Sequence, residues 1–107
     1  MTFDAYERSL ELLRALAPLL ARLGVLDDNL ANQARRAATS VALNVAEANR
    51  RTLRDRRNRF RIALGSAAEV ASCLEVAVAL AYLAPEAVAP ALALVDRVRA
   101  MTYRLSR

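Results

Sequence analysis

The 107-residue chain has no histidine, no lysine and no tryptophan, a single cysteine and only two glycines. Without histidine there is no imidazole to serve as a general base, and the lone Cys73 can form neither an internal disulfide nor a paired-thiolate site. With glycine confined to Gly24 and Gly65, a glycine-rich loop cradling a phosphate is excluded. Aromatic residues are few and β-branched residues show little patterning, which favours helix over sheet. The most apolar run, IALGSAAEVASCLEVAVALAYLA from Ile62, is broken by Glu69 and Glu75. Each would cost about 2.5 kcal/mol or more at a bilayer centre, so this run reads as a buried helix and no membrane partner is expected. The N-terminal MTFDAYERSLE carries acids where a signal peptide has a basic region and then an apolar one, which points to the cytoplasm.

Alanine stands at twenty-four positions and has the best intrinsic helix propensity. A chain of this length makes one domain, here residues 1–107, and its expected fold is all-α. All sixteen basic residues are arginine, from selection for bidentate phosphate or carboxylate binding or from a compositional bias that also raises alanine.

Four helices can be drawn. The first runs from about Phe3 to Leu23, with Leu10, Leu13, Ala17 and Leu20 at helical spacing, a kink at Pro18 and a stop at Gly24. The second follows Asp27 and Asp28, whose charges suit a helix N-terminus, and runs to about Ala48 with Leu30, Ala34, Ala37, Val41, Val45 and Ala48 on its apolar face. Thr52 and Asp55 resemble a capping box that opens the third, which carries Phe60, Leu64, Ala67, Ala71, Leu74 and Val78 on one face and extends to about Leu83. Pro85 and Pro90 permit a turn or a first helical position, and Ala91, Leu94, Val98, Met101 and Leu105 repeat at steps of three and four in a fourth helix. Connections this short imply antiparallel neighbours, hence an up-down-up-down four-helix bundle.

Two features exceed a plain bundle. The second helix carries a polar stripe, Gln33, Arg36, Ser40, Asn44 and Glu47, beside its apolar face. Such a stripe is either solvated or a buried or half-buried network at an interface, satisfied in the assembled form and fixing register, with Ser66 and Glu69 as partners; the network is the reading adopted. The third helix is apolar on its outer side as well, at Ile62, Cys73, Val76, Leu80 and Leu83. A bundle offers each helix one core, so Ile62, Val76, Leu80 and Leu83 are expected to meet another copy of the chain.

QARRAATSVALNVAEANRR followed by FRIALGSAAEV resembles the bacterial four-helix bundle proteins known as 23S rRNA intervening-sequence proteins. Their pattern is approximately Q-x-R-R-A-x-x-S-x-x-x-N-[IV]-A-E-G, then R-F, then A-x-G-S-x-x-E. The resemblance places the family's polar positions on Gln33, Arg36, Ser40, Asn44, Glu47, Arg51, Arg59, Ser66 and Glu69. It implies ring-like homo-oligomers, often pentamers, and a relation to the basic accessory proteins of diversity-generating retroelements, which bind nucleic acid and a reverse transcriptase. Ala48, Arg50 and Leu53 depart from the pattern, where glycine, glycine and serine are usual, and shift helix capping toward Thr52.

The basic charge is local. Residues 50–61, RRTLRDRRNRFR, hold seven arginines and one aspartate, a charge of +6, and the rest of the chain holds nine arginines against ten acids, or −1. On a helix begun at Thr52, Arg54, Arg57 and Arg61 fall within an arc of about 60° along about 10 Å, a spacing that can follow a phosphate backbone. Arg56 and Arg59 project to another flank, where Asp55 can pair with Arg59. Cations in a first turn oppose the helix dipole, so local helix stability does not account for them.

RNA or DNA held through Arg50, Arg51, Arg54, Arg57 and Arg61 is one reading. An acidic protein partner such as a reverse transcriptase, or structural pairing with Glu47, Glu69 or Glu75, is the other. Catalysis is not expected, because no nucleophile has an activating base, and no cofactor or metal is expected either. Base-specific readout has no signature to support it.

Overall fold

The structure is a computed structural model that describes residues 2–107, with side chains from residue 4 onward. It contains α1 (Thr2–Leu26), α2 (Asp28–Ala48), α3 (Leu53–Ala79) and α4 (Pro85–Ser106), and no strand among the described residues. Each helix packs on its sequence neighbours and α1 closes against α4, giving an antiparallel bundle of 43 × 22 × 19 Å. The α2–α3 turn and both chain termini therefore share one end of the molecule.

The expected face of α2 is buried throughout: Leu30, Ala34, Ala37, Val41, Val45 and Ala48 all face inward. In α1 the phase differs from expectation. Leu12, Leu16, Leu19, Leu20 and Leu23 fill the core, Leu10 and Leu13 are half-buried and Ala17 is exposed. Leucines cover more than half of this helix's circumference, so spacing alone leaves its rotation open. Nor does α1 stop at Gly24. It continues through the exposed Pro18 to Leu26, and the break comes at Asp27 (φ −155°, ψ 89°), whose carboxylate accepts a 3.0 Å bond from the Leu30 amide to cap α2.

In α4, Val88, Ala91, Val95 and Val98 are buried together with Thr102 and Ser106, while Leu94, Met101 and Leu105 are half-buried. The two hydroxyls are tolerated because each bonds a carbonyl of its own helix, Thr102 to Val98 (2.7 Å) and Ser106 to Tyr103 (2.8 Å). By length and composition α3 is apolar enough to cross a bilayer, and Phe60, Ala63, Ala67, Val70, Ala71, Cys73, Leu74 and Ala77 are the residues it buries in the bundle. Cys73, expected on the outer side, is therefore a core residue. At the end shared by the termini, Phe60 lies fully buried among Ala5, Val45, Ala48 and Ala63.

α3 ends at Ala79, short of the expected Leu83. The Tyr82 amide donates to the Ala77 carbonyl and the Ala81 amide to the Val78 carbonyl, both at 2.9 Å, and Ala81 adopts φ 63°. This is the Schellman stop, with alanine in the left-handed position that glycine ordinarily takes. It brings Leu83 back into the core at 3% exposure, so Leu83 is removed from the outer stripe, whereas Ile62, Val76 and Leu80 stay 41–52% exposed. An alanine Cβ in this conformation is strained by roughly 1–2 kcal/mol. Ala81→Gly should therefore raise the unfolding free energy by about 0.5–1 kcal/mol after the added chain entropy is deducted, read as a higher denaturant midpoint with unchanged slope.

Candidate nucleic-acid interface

The α2–α3 turn needs no glycine. Asn49 keeps right-handed helical angles, the Arg50 amide bonds the Glu47 carbonyl and the Arg51 amide bonds the Ala48 carbonyl. Ala81 is the only residue with positive φ among those described, so the departures at Ala48 and Arg50 cost this turn nothing. The capping box does not form. Thr52 precedes α3 without a side-chain cap bond, and Asp55 turns to Arg51 at 3.5 Å instead. Arg51 also grips Glu47, through Nε at 2.8 Å and Nη2 at 2.7 Å. That bond, with the Arg51 charge, holds the Glu47 carboxyl below its ordinary range. Arg51 thus bridges two acids across the turn and is the most committed of the five arginines proposed as a binding set.

Half of the polar stripe becomes a network along the α2–α3 seam. Ser40 and Ser66 share a hydrogen bond of 2.8 Å, and Asn44 donates to the Ser40 carbonyl (2.8 Å) and hydroxyl (3.2 Å). Arg59 donates to the Asn44 Oδ1 at 3.3 Å, not to Asp55 as the i, i+4 spacing suggested. All four residues are half-buried. Gln33, Arg36 and Glu69 are exposed and make no side-chain hydrogen bond among the described residues, so within one chain the network runs from Ser40 to Arg51.

The remaining arginines separate cleanly. Arg50, Arg54, Arg57 and Arg61 are exposed, and none has a side-chain hydrogen bond or ion pair among the described residues. Arg56 is half-buried, and its Nε lies out of reach of solvent without a partner. Arg54 and Arg61 line a pocket of about 330 Å³ with Thr52, Asp55 and Asn58. Their outward direction follows from the rotation of α3: with Phe60, Ala63, Ala67 and Leu74 inside, positions 54, 57 and 61 fall on the far side of the helix.

Cys73 is no nucleophile in waiting. Burial, followed by the negative charge of Glu69, raises its thiol above the ordinary value, opposite to what an activated thiolate needs. Among the described residues no three His, Cys, Asp or Glu side chains gather as metal ligands.

Sequence reasoning missed two exposed residues beside these sites. Leu43, 68% exposed, stands on the outer side of α2 and lines an apolar groove with Tyr6, Leu10 and Leu13 of α1. Tyr103 of α4, 54% exposed, has the Arg107 guanidinium 5.5 Å from its ring centroid. Both lie off the apolar stripes that periodicity detects, and in that position lay their only signal.

These features define a small antiparallel four-helix bundle with a polar α2–α3 seam and an arginine-bearing end. The chain matches the family model for the 23S rRNA-intervening sequence protein over residues 1–104, and it belongs to that family. A crystal structure of a protein with unknown function from the S23 ribosomal protein family of Bacteroides thetaiotaomicron has the same fold. It superposes with a TM-score of 0.87 at 22% identity, over 96% of this chain and 98% of the other. No curated protein matches the chain.

Asn44 ties Ser40 to Arg59 and so couples the two helices at one point. Asn44→Ala should destabilise the fold by about 1–3 kcal/mol, because it also leaves half-buried partners unsatisfied. Gln33→Ala, which breaks no bond, should change stability by less than about 0.5 kcal/mol in the same unfolding titration.

Proposed function

We propose that the protein is a non-catalytic nucleic-acid-binding module that works as a ring-like homo-oligomer, binding phosphates through the arginines at the head of α3. The observation that carries this reading is the division among those arginines. Arg51 and Arg59 are consumed by Glu47, Asp55 and Asn44, while Arg54, Arg57 and Arg61 point into solvent unpaired on one helical ridge. Three unpaired like charges within about 10 Å repel one another and add nothing to the bundle, and a polyanion relieves that repulsion. The family is named for an intervening sequence of 23S rRNA and not for a ligand, so RNA and DNA are tested alike.

Assembly is supported by the apolar residues left outside. Ile62, Val76 and Leu80 on α3 and Leu43 on α2 are each at least 41% exposed. Light scattering at micromolar concentration should give several times 11.7 kDa, and Leu80→Arg should give the monomer. A monodisperse monomer from the parent chain contradicts the assembly.

Binding should be strongly salt-dependent and weakly sequence-dependent, each neutralised phosphate adding about 0.7–0.9 to the slope of log K against log salt. Changing Arg54, Arg57 and Arg61 together to Gln should lower that slope by about two to three units per engaged subunit with the melting temperature unchanged. If the same triple change disrupts assembly, the arginines are structural. A stable parent that binds no nucleic acid at low salt but captures an acidic protein such as a reverse transcriptase favours the partner-binding reading instead.

A further inference from the structure

The arginine ridge does not end in open surface. At 100° per residue, Arg54, Arg57 and Arg61 share an arc of about 100° with Leu64, Gly65 and Ala68, the next turns of α3 in the same direction. Those three residues form one wall of a surface groove of about 480 Å³, within the range of small-ligand sites. The opposite wall is α4, which contributes Asp96, Arg99 and Tyr103. A phosphate backbone following the ridge away from the α2–α3 turn is therefore delivered into this groove.

The groove's chemistry suits a base rather than more backbone. Tyr103 is 54% exposed and is the only large aromatic among the exposed hydrophobic residues described. Arg107 stands over its ring, so an aromatic face and a guanidinium plane, the two surfaces on which unpaired bases stack, occur together. Gly65 leaves the facing wall open: a Cβ added there would meet nothing within 4 Å. Asp96 and Arg99 supply an acceptor and a donor at the groove's edge. In a duplex the bases are stacked inside and could not reach Tyr103.

We infer that the α3–α4 groove is a base-stacking site, in which Tyr103 receives an unpaired base while Arg54, Arg57 and Arg61 hold the adjoining phosphates, so that the ligand is single-stranded nucleic acid. The inference rests on the phosphate-binding reading above and adds the class of ligand.

The test compares three labelled probes in fluorescence anisotropy at fixed low salt: a single-stranded oligonucleotide, an abasic strand of equal length, and a blunt duplex. The parent should prefer the single strand. Tyr103→Ala should weaken it by about 5- to 150-fold, the equivalent of one lost base stack, and leave the abasic strand and the duplex within about twofold. Tyr103→Phe should restore the single-strand affinity. The Arg54, Arg57 and Arg61 triple change should weaken all three probes alike. Tyr103→Ala binding the single strand as the parent does, or losing all three probes equally, overturns the stacking site and leaves phosphate binding intact. A parent that binds none of the probes overturns both.

Discussion

Burial of Phe60 is the constraint from which the functional geometry follows. Its ring is fully enclosed at the end of the bundle where α3 begins, and together with Ala63, Ala67 and Leu74 it fixes the rotation of that helix. Once the rotation is set, every arginine of residues 50–61 has its direction. Arg59 lands against α2, where Asn44 takes it, and Arg54, Arg57 and Arg61 land outside. The cost of seven cations near a helix N-terminus is met by the core beneath them, since a large aromatic buried in a core is worth about 3–5 kcal/mol against truncation and adverse dipole contacts only tenths each.

The α2–α3 seam supplies specificity in place of bulk stability. Ser40, Ser66, Asn44 and Arg59 form a chain of hydrogen bonds that has one satisfactory register, so the small alanine faces around it cannot slide. Arg51, held by Glu47 and Asp55, then links the end of α2 to the first turn of α3. The family's polar positions divide accordingly. Six of the nine, from Ser40 to Ser66, join the two helices, and Gln33, Arg36 and Glu69 remain on the surface beside the apolar residues proposed to meet another copy.

The number of helices and the face of α2 were legible in the sequence, because charged residues cannot be buried cheaply, whereas two prolines left the start of α4 open and the structure opens it at Pro85 with Pro90 inside. The basic cluster was legible for the same reason: a run of arginines must face water, a counter-charge or a ligand. The resemblance over residues 33–69 carried the family, and the match over 1–104 bears it out.

Choices among near-equals were left to tertiary structure. α1 is too rich in leucine for its spacing to select a face, and packing against α2 and α4 chose Leu12, Leu16, Leu19 and Leu23. The end of α3 had no glycine to mark it, and Ala81 takes a left-handed conformation because the stop it creates buries Leu83. Arg59 had Asp55 within helical reach and found Asn44 on another helix. Tyr103 and the arginine ridge lie more than forty positions apart and share a groove only because α3 and α4 pack side by side. Periodicity reports what one helix can do alone; rotation, chain reversal and partner choice are settled by energies that exist only between helices.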